Sequence, residues 1–254
     1  MRVYKEKEIR SVDDWFLYAP PKMGARHWKD GRSAKELARS WFRNNLAKPP
    51  EELVVLLEAR FGRGTTFHDV KPECTVQLDE FDGEQRNCDL VALCKLGTSR
   101  AVIHVEAKAD EPFGDLIGEY FDRKINSVSN VPERIRRLSL GLFGREPDEA
   151  IRKLRYQLLH ATAAALIDTK ANDAEFGLLL IHEFRSASLS HRKLSRNGRD
   201  WADFVHTFPE LATARIEKDL ILGPISVPGG NRIPDSVPLY LGKLTTELTK
   251  GAQV

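Results

Sequence analysis

Two apolar segments, residues 88–96 and 99–108, are joined by only two residues, Gly97 and Thr98. Apolar side chains continue along both segments, which is typical of β-strands that are covered on both faces. A two-residue connection that contains glycine predicts a tight turn between antiparallel strands. The sequence therefore predicts a β-hairpin in the interior of the fold.

Helical and strand patterns precede this hairpin. Ser33 and Glu36 have the spacing of a capping box, which predicts a helix that continues to about residue 47. Residues 51–61 follow two prolines, carry regularly spaced leucines and precede a glycine, so they predict the first core helix. Residues 65–79 are rich in β-branched side chains and predict a strand, which the polar residues 82–87 end.

Further elements follow the hairpin. Residues 114–144 are polar and helical in character, and Pro132 and Gly141 predict that they form several short helices. One long helix is predicted from Pro147 to about residue 167, and an apolar strand follows it at residues 176–181.

The C-terminal part of the chain has weaker patterns. Residues 186–199 are rich in serine, arginine and lysine, and the part from 190 to 199 predicts a mobile loop. A helix is predicted around residues 201–208. Short apolar segments at residues 221–227 and 237–241 predict strands that pack on the core.

The chain has 254 residues, of which 41% are hydrophobic and 30% charged, as in an ordinary globular protein. We expect one α/β domain over residues 1–254 with a mixed sheet. Its predicted parts are a helical N-terminal extension at 1–48, a core at 49–184 with a helical insertion at 110–147, and a β-containing C-terminal extension at 185–254.

Net charge and cysteine content say less about the function of this protein than the strand and helix patterns say about its fold. A net charge of +2 neither indicates nor excludes a nucleic-acid partner. The three cysteines lack the spacing of a zinc site and are odd in number, which favours reduced thiols. The charged N-terminus and the lack of long apolar segments lead us to expect a cytoplasmic protein without a membrane partner.

The hairpin carries the candidate chemistry. Opposed residues in an antiparallel hairpin have numbers with a constant sum, here about 195, which places Asp89 opposite Glu106. Alternation along the strand places Lys108 on the same face. Two opposed carboxylates repel each other in apolar surroundings, and Mg²⁺, or Mn²⁺ in its place, would compensate them. These residues therefore predict a metal-dependent hydrolytic site that acts on phosphodiesters.

At these residues the chain resembles the PD-(D/E)xK nucleases of the restriction-endonuclease-like fold. The resemblance is carried by Asp89 and by Glu106-Ala107-Lys108, within an order of elements similar to the αβββαβ core of that family. It implies that Asp89, Glu106 and the Ala107 carbonyl are metal ligands and that Lys108 is the catalytic lysine. It also relates Glu58 to an additional acidic ligand and Gln157 to a polar active-site residue.

Each of these assignments has an alternative. Glu-x-Lys alone is common, and the set at the hairpin could be an ordinary ion pair at a solvated strand end. Glu58 fits the solvated face of its helix, and Gln157 lies close to the apolar stripe of its own. The predicted loop offers the four best basic candidates for phosphate binding: Arg192, Lys193, Arg196 and Arg199.

The sequence thus predicts a Mg²⁺-dependent nuclease, and the family resemblance favours DNA over RNA as its substrate. A non-catalytic nucleic-acid or protein-binding module with the same fold is the alternative from another class. An enzyme that acts on a different phosphorylated substrate is a third. A homodimer is a further expectation, because cleavage of both strands of a duplex suits two-fold symmetry.

Overall fold

The strands of the computed structural model, which describes residues 1–248, form one large mixed sheet and a small ribbon. In chain order the strands are β1 (Arg2–Val3), β2 (Phe42–Arg43), β3 (Leu46–Ala47), β4 (Thr66–Val76), β5 (Arg86–Leu96), β6 (Ser99–Lys108), β7 (Phe176–Arg185), β8 (Leu220–Ile225) and β9 (Leu239–Glu247). The large sheet has the order β1-β4-β5-β6-β7-β9-β8, and β2 pairs with β3 to form the ribbon. The predicted hairpin β5–β6 therefore lies at the centre of the sheet, in a position that fits its apolar character.

Helices cover both faces of the large sheet. They are α1 (Val12–Tyr18), α2 (Ser33–Ser40), α3 (Glu51–Phe61), α4 (Ile117–Lys124), α5 (Val131–Phe143), α6 (Glu149–Arg152), α7 (Tyr156–Ala171) and α8 (His191–His206). The three helices that precede the hairpin pack on one face, and the five that follow it pack on the other. The α/β class with a mixed sheet is thus confirmed, and the order α3-β4-β5-β6-α7-β7 matches the predicted order of core elements.

The register of the hairpin is as predicted. Leu90 pairs with Val105 and Leu96 with Ser99, which gives the expected constant sum. Gly97 has a φ angle of 60° in the turn, a conformation that glycine adopts without steric cost. Strand β6 then pairs in parallel with β7 on its other side, so the hairpin has a neighbour at each edge.

The helix predicted from Ser33 to about residue 47 is too long. It ends at Ser40, and the following residues form the β2–β3 ribbon, whose turn residues Asn44 and Asn45 have φ angles of 52° and 56°. Asparagine tolerates this left-handed conformation, which favours a tight turn over a continued helix. The predicted capping box is also absent, because the Ser33 hydroxyl donates to Glu111 instead of capping the helix.

The insertion is interrupted before Pro132, as predicted, but not at Gly141. Helix α4 ends at Lys124 and α5 begins at Val131, with Pro132 in its first turn, where no intrahelical N–H donor is required. Helix α5 continues past Gly141, where an added Cβ would lie 2.7 Å from the Cδ1 of Ile233, so the glycine allows close packing. The long helix predicted from Pro147 is instead divided into α6 and α7. The division lies at Leu154, whose carbonyl accepts the N–H of Ile117 at 2.8 Å in place of an N–H from its own helix.

The mobile loop predicted at residues 190–199 is helical. Helix α8 begins at His191, where the Ser190 hydroxyl caps it, and runs without interruption into the predicted helix at residues 201–208. Asn197, Trp201 and Phe204 are buried along one face with helical spacing. This packing decides the structure despite the polar composition of the first half of the helix.

The C-terminal extension completes the sheet. Strands β8 and β9 begin near the two predicted short strands, and β9 is longer than predicted and pairs in parallel with β7. None of the helices within residues 1–248 is long and apolar enough to cross a membrane.

Helix α7 lies close to strand β7 at Gly177. An added Cβ would lie 2.6 Å from the Thr169 Oγ1 and 3.3 Å from the Ala165 carbonyl oxygen. We expect Gly177→Ala to lower the free energy of unfolding by about 1–3 kcal/mol through overpacking. Gly198→Ala is the matched control, since nothing lies within 4 Å of its added Cβ in helix α8. Urea denaturation should find the control neutral or stabilised, and equal losses in both variants would contradict this packing account.

His182 on strand β7 gives the fold a defined response to acid. Burial lowers the pKa of His182 to about 3, from an ordinary value of 6.5. Between these two pH values the unfolded chain binds a proton at this residue that the folded chain does not, so stability falls as the pH falls. We expect His182→Gln to reduce that slope by about 1.4 kcal/mol per pH unit between pH 6 and 5. Urea denaturation across this range measures the slope, and an unchanged slope would refute the assignment.

Candidate active site

The ladder between β5 and β6 stops just before the predicted site residues. Its last described pair is Leu90 with Val105, so Asp89 and Glu106 lie one residue beyond it. The predicted direct opposition of these two residues is replaced by a different contact. The Oδ2 of Asp89 accepts a hydrogen bond from the main-chain N–H of Ala107 at 2.8 Å. The Asp89 carboxylate is thereby fixed beside the Glu106-Ala107-Lys108 segment.

Glu106 is the centre of the site. Its side chain is buried, with 0% of the residue exposed, and it accepts hydrogen bonds at both carboxylate oxygens. The Oε1 accepts from the Nζ of Lys108 at 2.5 Å and from the Nε2 of Gln157 at 2.6 Å. The Oε2 accepts from the guanidinium of Arg86. Gln157, on helix α7, is thereby brought into contact with Glu106.

The charges in this cluster change one another's proton affinity. Burial alone would raise the pKa of Glu106, but Lys108 and Arg86 outweigh burial and hold that pKa below its ordinary value. Burial would likewise lower the pKa of Lys108, yet the charges of Glu106 and Asp89 raise it overall. Lys108 is consequently a cation at neutral pH. Burial and the charge of Glu106 together raise the pKa of Asp89 to about 7.

The site lies at the bottom of a cleft with a volume of about 590 Å³. One wall comes from the N-terminal extension and includes Trp15 and Arg32. The opposite wall comes from the helical insertion and helix α7 and includes Tyr120 and Tyr156. The elements outside the central sheet thus form most of the boundary of the site.

Two charged residues of the site have no recognisable signal in the sequence. Arg86 is only 8% exposed, yet the sequence placed it in a polar loop, and no local pattern distinguishes it from its charged neighbours. Arg86 pairs with Val76 of strand β4, so strand β5 begins at Arg86 and places it in the site. Glu73, on strand β4, lines the cleft and accepts a hydrogen bond from Asn87. Burial raises the pKa of Glu73 to about 7.

Other predicted residues lie elsewhere. The carboxylate of Glu58 accepts the N–H groups of Gly64 and Thr65 at 3.1 and 3.2 Å, where it fixes the end of helix α3 outside the cleft. The four basic candidates lie on helix α8, outside the residues that line the cleft. They are Arg192, Lys193, Arg196 and Arg199. Of these, Lys193 pairs with Asp110 at 3.2 Å.

The residues at the cleft floor fit Mg²⁺ in their chemistry. Among residues 1–248 there is no cluster of three or more His, Cys, Asp or Glu side chains with the geometry of a metal site. Mg²⁺, however, often binds through one or two carboxylates and retains several water ligands, and Asp89 and Glu106 supply two carboxylates. A carboxylate oxygen has two lone pairs, so the contact between Glu106 and Arg86 leaves further capacity for a ligand.

The stability of the site depends on Glu106 more than on Asp89. Glu106→Gln removes the charge that two buried cations share, and we expect it to lower the free energy of unfolding by about 3–5 kcal/mol. Asp89→Asn keeps an oxygen that can accept the Ala107 N–H, so we expect a change below about 1 kcal/mol. Urea denaturation in the presence of a chelator tests both variants. A larger loss for Asp89→Asn than for Glu106→Gln would contradict this description.

Comparison with known proteins identifies the family of the chain but no function. The search of curated proteins gave no significant match, and neither did the search of solved structures. A family model described as a domain of unknown function, DUF6946, matches residues 8–248, which include the whole cleft. The chain belongs to the DUF6946 family.

Proposed function

We propose that this protein is a Mg²⁺-dependent nuclease of the PD-(D/E)xK type that hydrolyses phosphodiester bonds, in DNA rather than RNA. The observation that carries the proposal is the convergence of Asp89, Glu106, Lys108 and Gln157 at the bottom of one cleft. A chance Glu-x-Lys pair on a strand would not bring in a carboxylate from the neighbouring strand and an amide from a distant helix.

The order of elements also supports the proposal. Helix α3, strands β4, β5 and β6, helix α7 and strand β7 follow the αβββαβ order of restriction-endonuclease-like nucleases. The two site segments lie on the second and third strands of this series, and Gln157 lies on its second helix. These are the positions that the family resemblance assigns to the catalytic residues.

Asp89 and Glu106 would hold the metal ion, which would supply an acidified water and stabilise charge on the phosphate. The contact with the Ala107 N–H fixes the Asp89 carboxylate before any ligand binds. Lys108 has a raised pKa and is therefore suited to hold a phosphate oxygen or orient a water rather than to remove a proton. Gln157 holds the Glu106 carboxylate from the other side of the cleft.

One observation favours the non-catalytic alternative. Arg86 and Lys108 together already neutralise Glu106. A cluster of this kind can have a purely structural role, in which it holds the sheet and helix α7 together. A binding module with a structural ion cluster would keep these contacts without chemistry. Activity measurements separate the two functions.

The test is cleavage of plasmid, linear duplex, single-stranded DNA and RNA in the presence of Mg²⁺ or Mn²⁺. We expect metal-dependent cleavage that a chelator abolishes. Lys108→Ala and Asp89→Asn should each lower kcat by about 100-fold or more, as the loss of one group that stabilises transition-state charge does. Lys95→Ala is a matched control, because Lys95 is exposed on the same strand as Asp89.

The outcomes separate the site from nonspecific effects. Equal activity in wild type and both site variants would assign any cleavage to a contaminant and overturn the proposal. Glu58→Gln should retain activity because Glu58 lies outside the cleft. No cleavage of any substrate, together with no Mg²⁺ binding by calorimetry, would favour the binding module.

A further inference from the structure

The groups that would act on a phosphodiester are placed deep in the protein. Glu106 has 0% of its surface exposed and Lys108 has 6%. We propose that the cleft admits a single unpaired strand of nucleic acid and excludes a continuous duplex. This inference rests on the proposed nuclease function and names the class of substrate for the same site.

The size of the cleft supports one strand. Its volume of about 590 Å³ lies within the range of roughly 300–1,000 Å³ that encloses one small organic ligand. That space suits a nucleotide or two, whereas a double helix is a stiff rod whose phosphates lie on its outer surface. A duplex that rests on the mouth of the cleft would leave its phosphates away from the buried Lys108.

The walls are fixed by packing, which prevents the cleft from opening easily. Trp15 and Leu37 line one wall, and both are also buried in the core between the N-terminal helices and the sheet. Arg32, on the same side, pairs with Asp110 at 2.8 Å just beyond the end of strand β6. Moving this wall aside would expose large apolar side chains to water.

The charge of the cleft limits how many phosphates it can hold. A duplex-binding surface neutralises many phosphates through lysine and arginine, whereas one or two nucleotides of a single strand present only a few. In this cleft the lining aspartates and glutamates number six, and the lining lysines and arginines only five. The five cations are Lys22, Arg32, Arg86, Lys108 and Arg134.

Aromatic side chains supply a surface for unpaired bases. Tyr120 and Tyr156 line the cleft with their ring centroids 5.1 Å apart, and the Tyr156 ring lies 4.6 Å from that of His160. Proteins that bind single strands combine aromatic rings, on which bases stack, with cations that contact the backbone. Arg86 lines the same cleft, and its buried Nε has no hydrogen-bond partner among the described residues.

The experiment compares one DNA sequence in three forms: a single strand, a blunt duplex, and a duplex with a single-stranded overhang. We expect kcat/KM for the single strand to exceed that for the blunt duplex by roughly 100-fold, because unpairing costs a few kcal/mol. Cleavage of the third form should be confined to its overhang. Equal rates on single strand and blunt duplex would overturn the inference and leave the nuclease function intact.

Variants of the aromatic wall provide a second readout. Tyr120→Ala should raise KM for the single strand by roughly 10-fold with little change in kcat, and Tyr120→Phe should retain the wild-type value, because stacking needs only the ring. Glu119→Ala is the matched control, since Glu119 is the exposed neighbour on helix α4. A fall in kcat without a change in KM for Tyr120→Ala would contradict a stacking role.

Binding separates the two proposals if no substrate is cleaved. Fluorescence anisotropy with labelled single strand and labelled blunt duplex can be measured on the wild-type protein in a chelator. Tighter binding of the single strand, weakened in Tyr120→Ala, would support the inference while the absence of cleavage counts against the nuclease. Equal affinity for both forms, or no binding of either, would overturn the inference.

Discussion

Burying a carboxylate at the centre of a sheet costs free energy, and the residues around Glu106 compensate its charge. An isolated charge in such a place would be neutralised or would destabilise the fold. Lys108 reaches Glu106 from two residues along the same strand, Arg86 from the neighbouring strand, and Gln157 from helix α7. The charge of Glu106 therefore connects three elements. The two carboxylates and two cations of this cluster are close enough that each changes the proton affinity of the others.

The flanking segments determine what can reach this cluster. Asp89 and Glu106 lie where the pairing between strands β5 and β6 has ended, although each strand is still paired with its other neighbour. The N-terminal extension covers one side through Trp15 and Arg32, and the helical insertion covers the other through Tyr120. The flanks of this chain make a cleft with aromatic and charged walls in place of an open basic surface.

Much of the fold was predictable because its signals are local. The hairpin turn, the register of its strands and the end of helix α3 follow from residues close together in sequence. Predictions failed where distant contacts decide the local structure. The helix predicted from Pro147 is broken because its backbone pairs with Ile117, and helix α8 forms because Trp201 and Phe204 bind its inner face to the core. Polar composition near residue 190 gave no sign of that packing.

The candidate site likewise has some features that local signals predict and others that distant contacts decide. The sequence determined that Asp89, Glu106 and Lys108 would meet, because strand register and alternation are set by a short turn and a period of two residues. Only the tertiary structure decided that Arg86 shares the Glu106 charge and that Glu58 lies elsewhere, since both follow from pairing and packing between segments far apart in the chain. Tertiary structure also decided the shape of the cleft. Its walls come from three regions of the chain whose proximity no local pattern encodes.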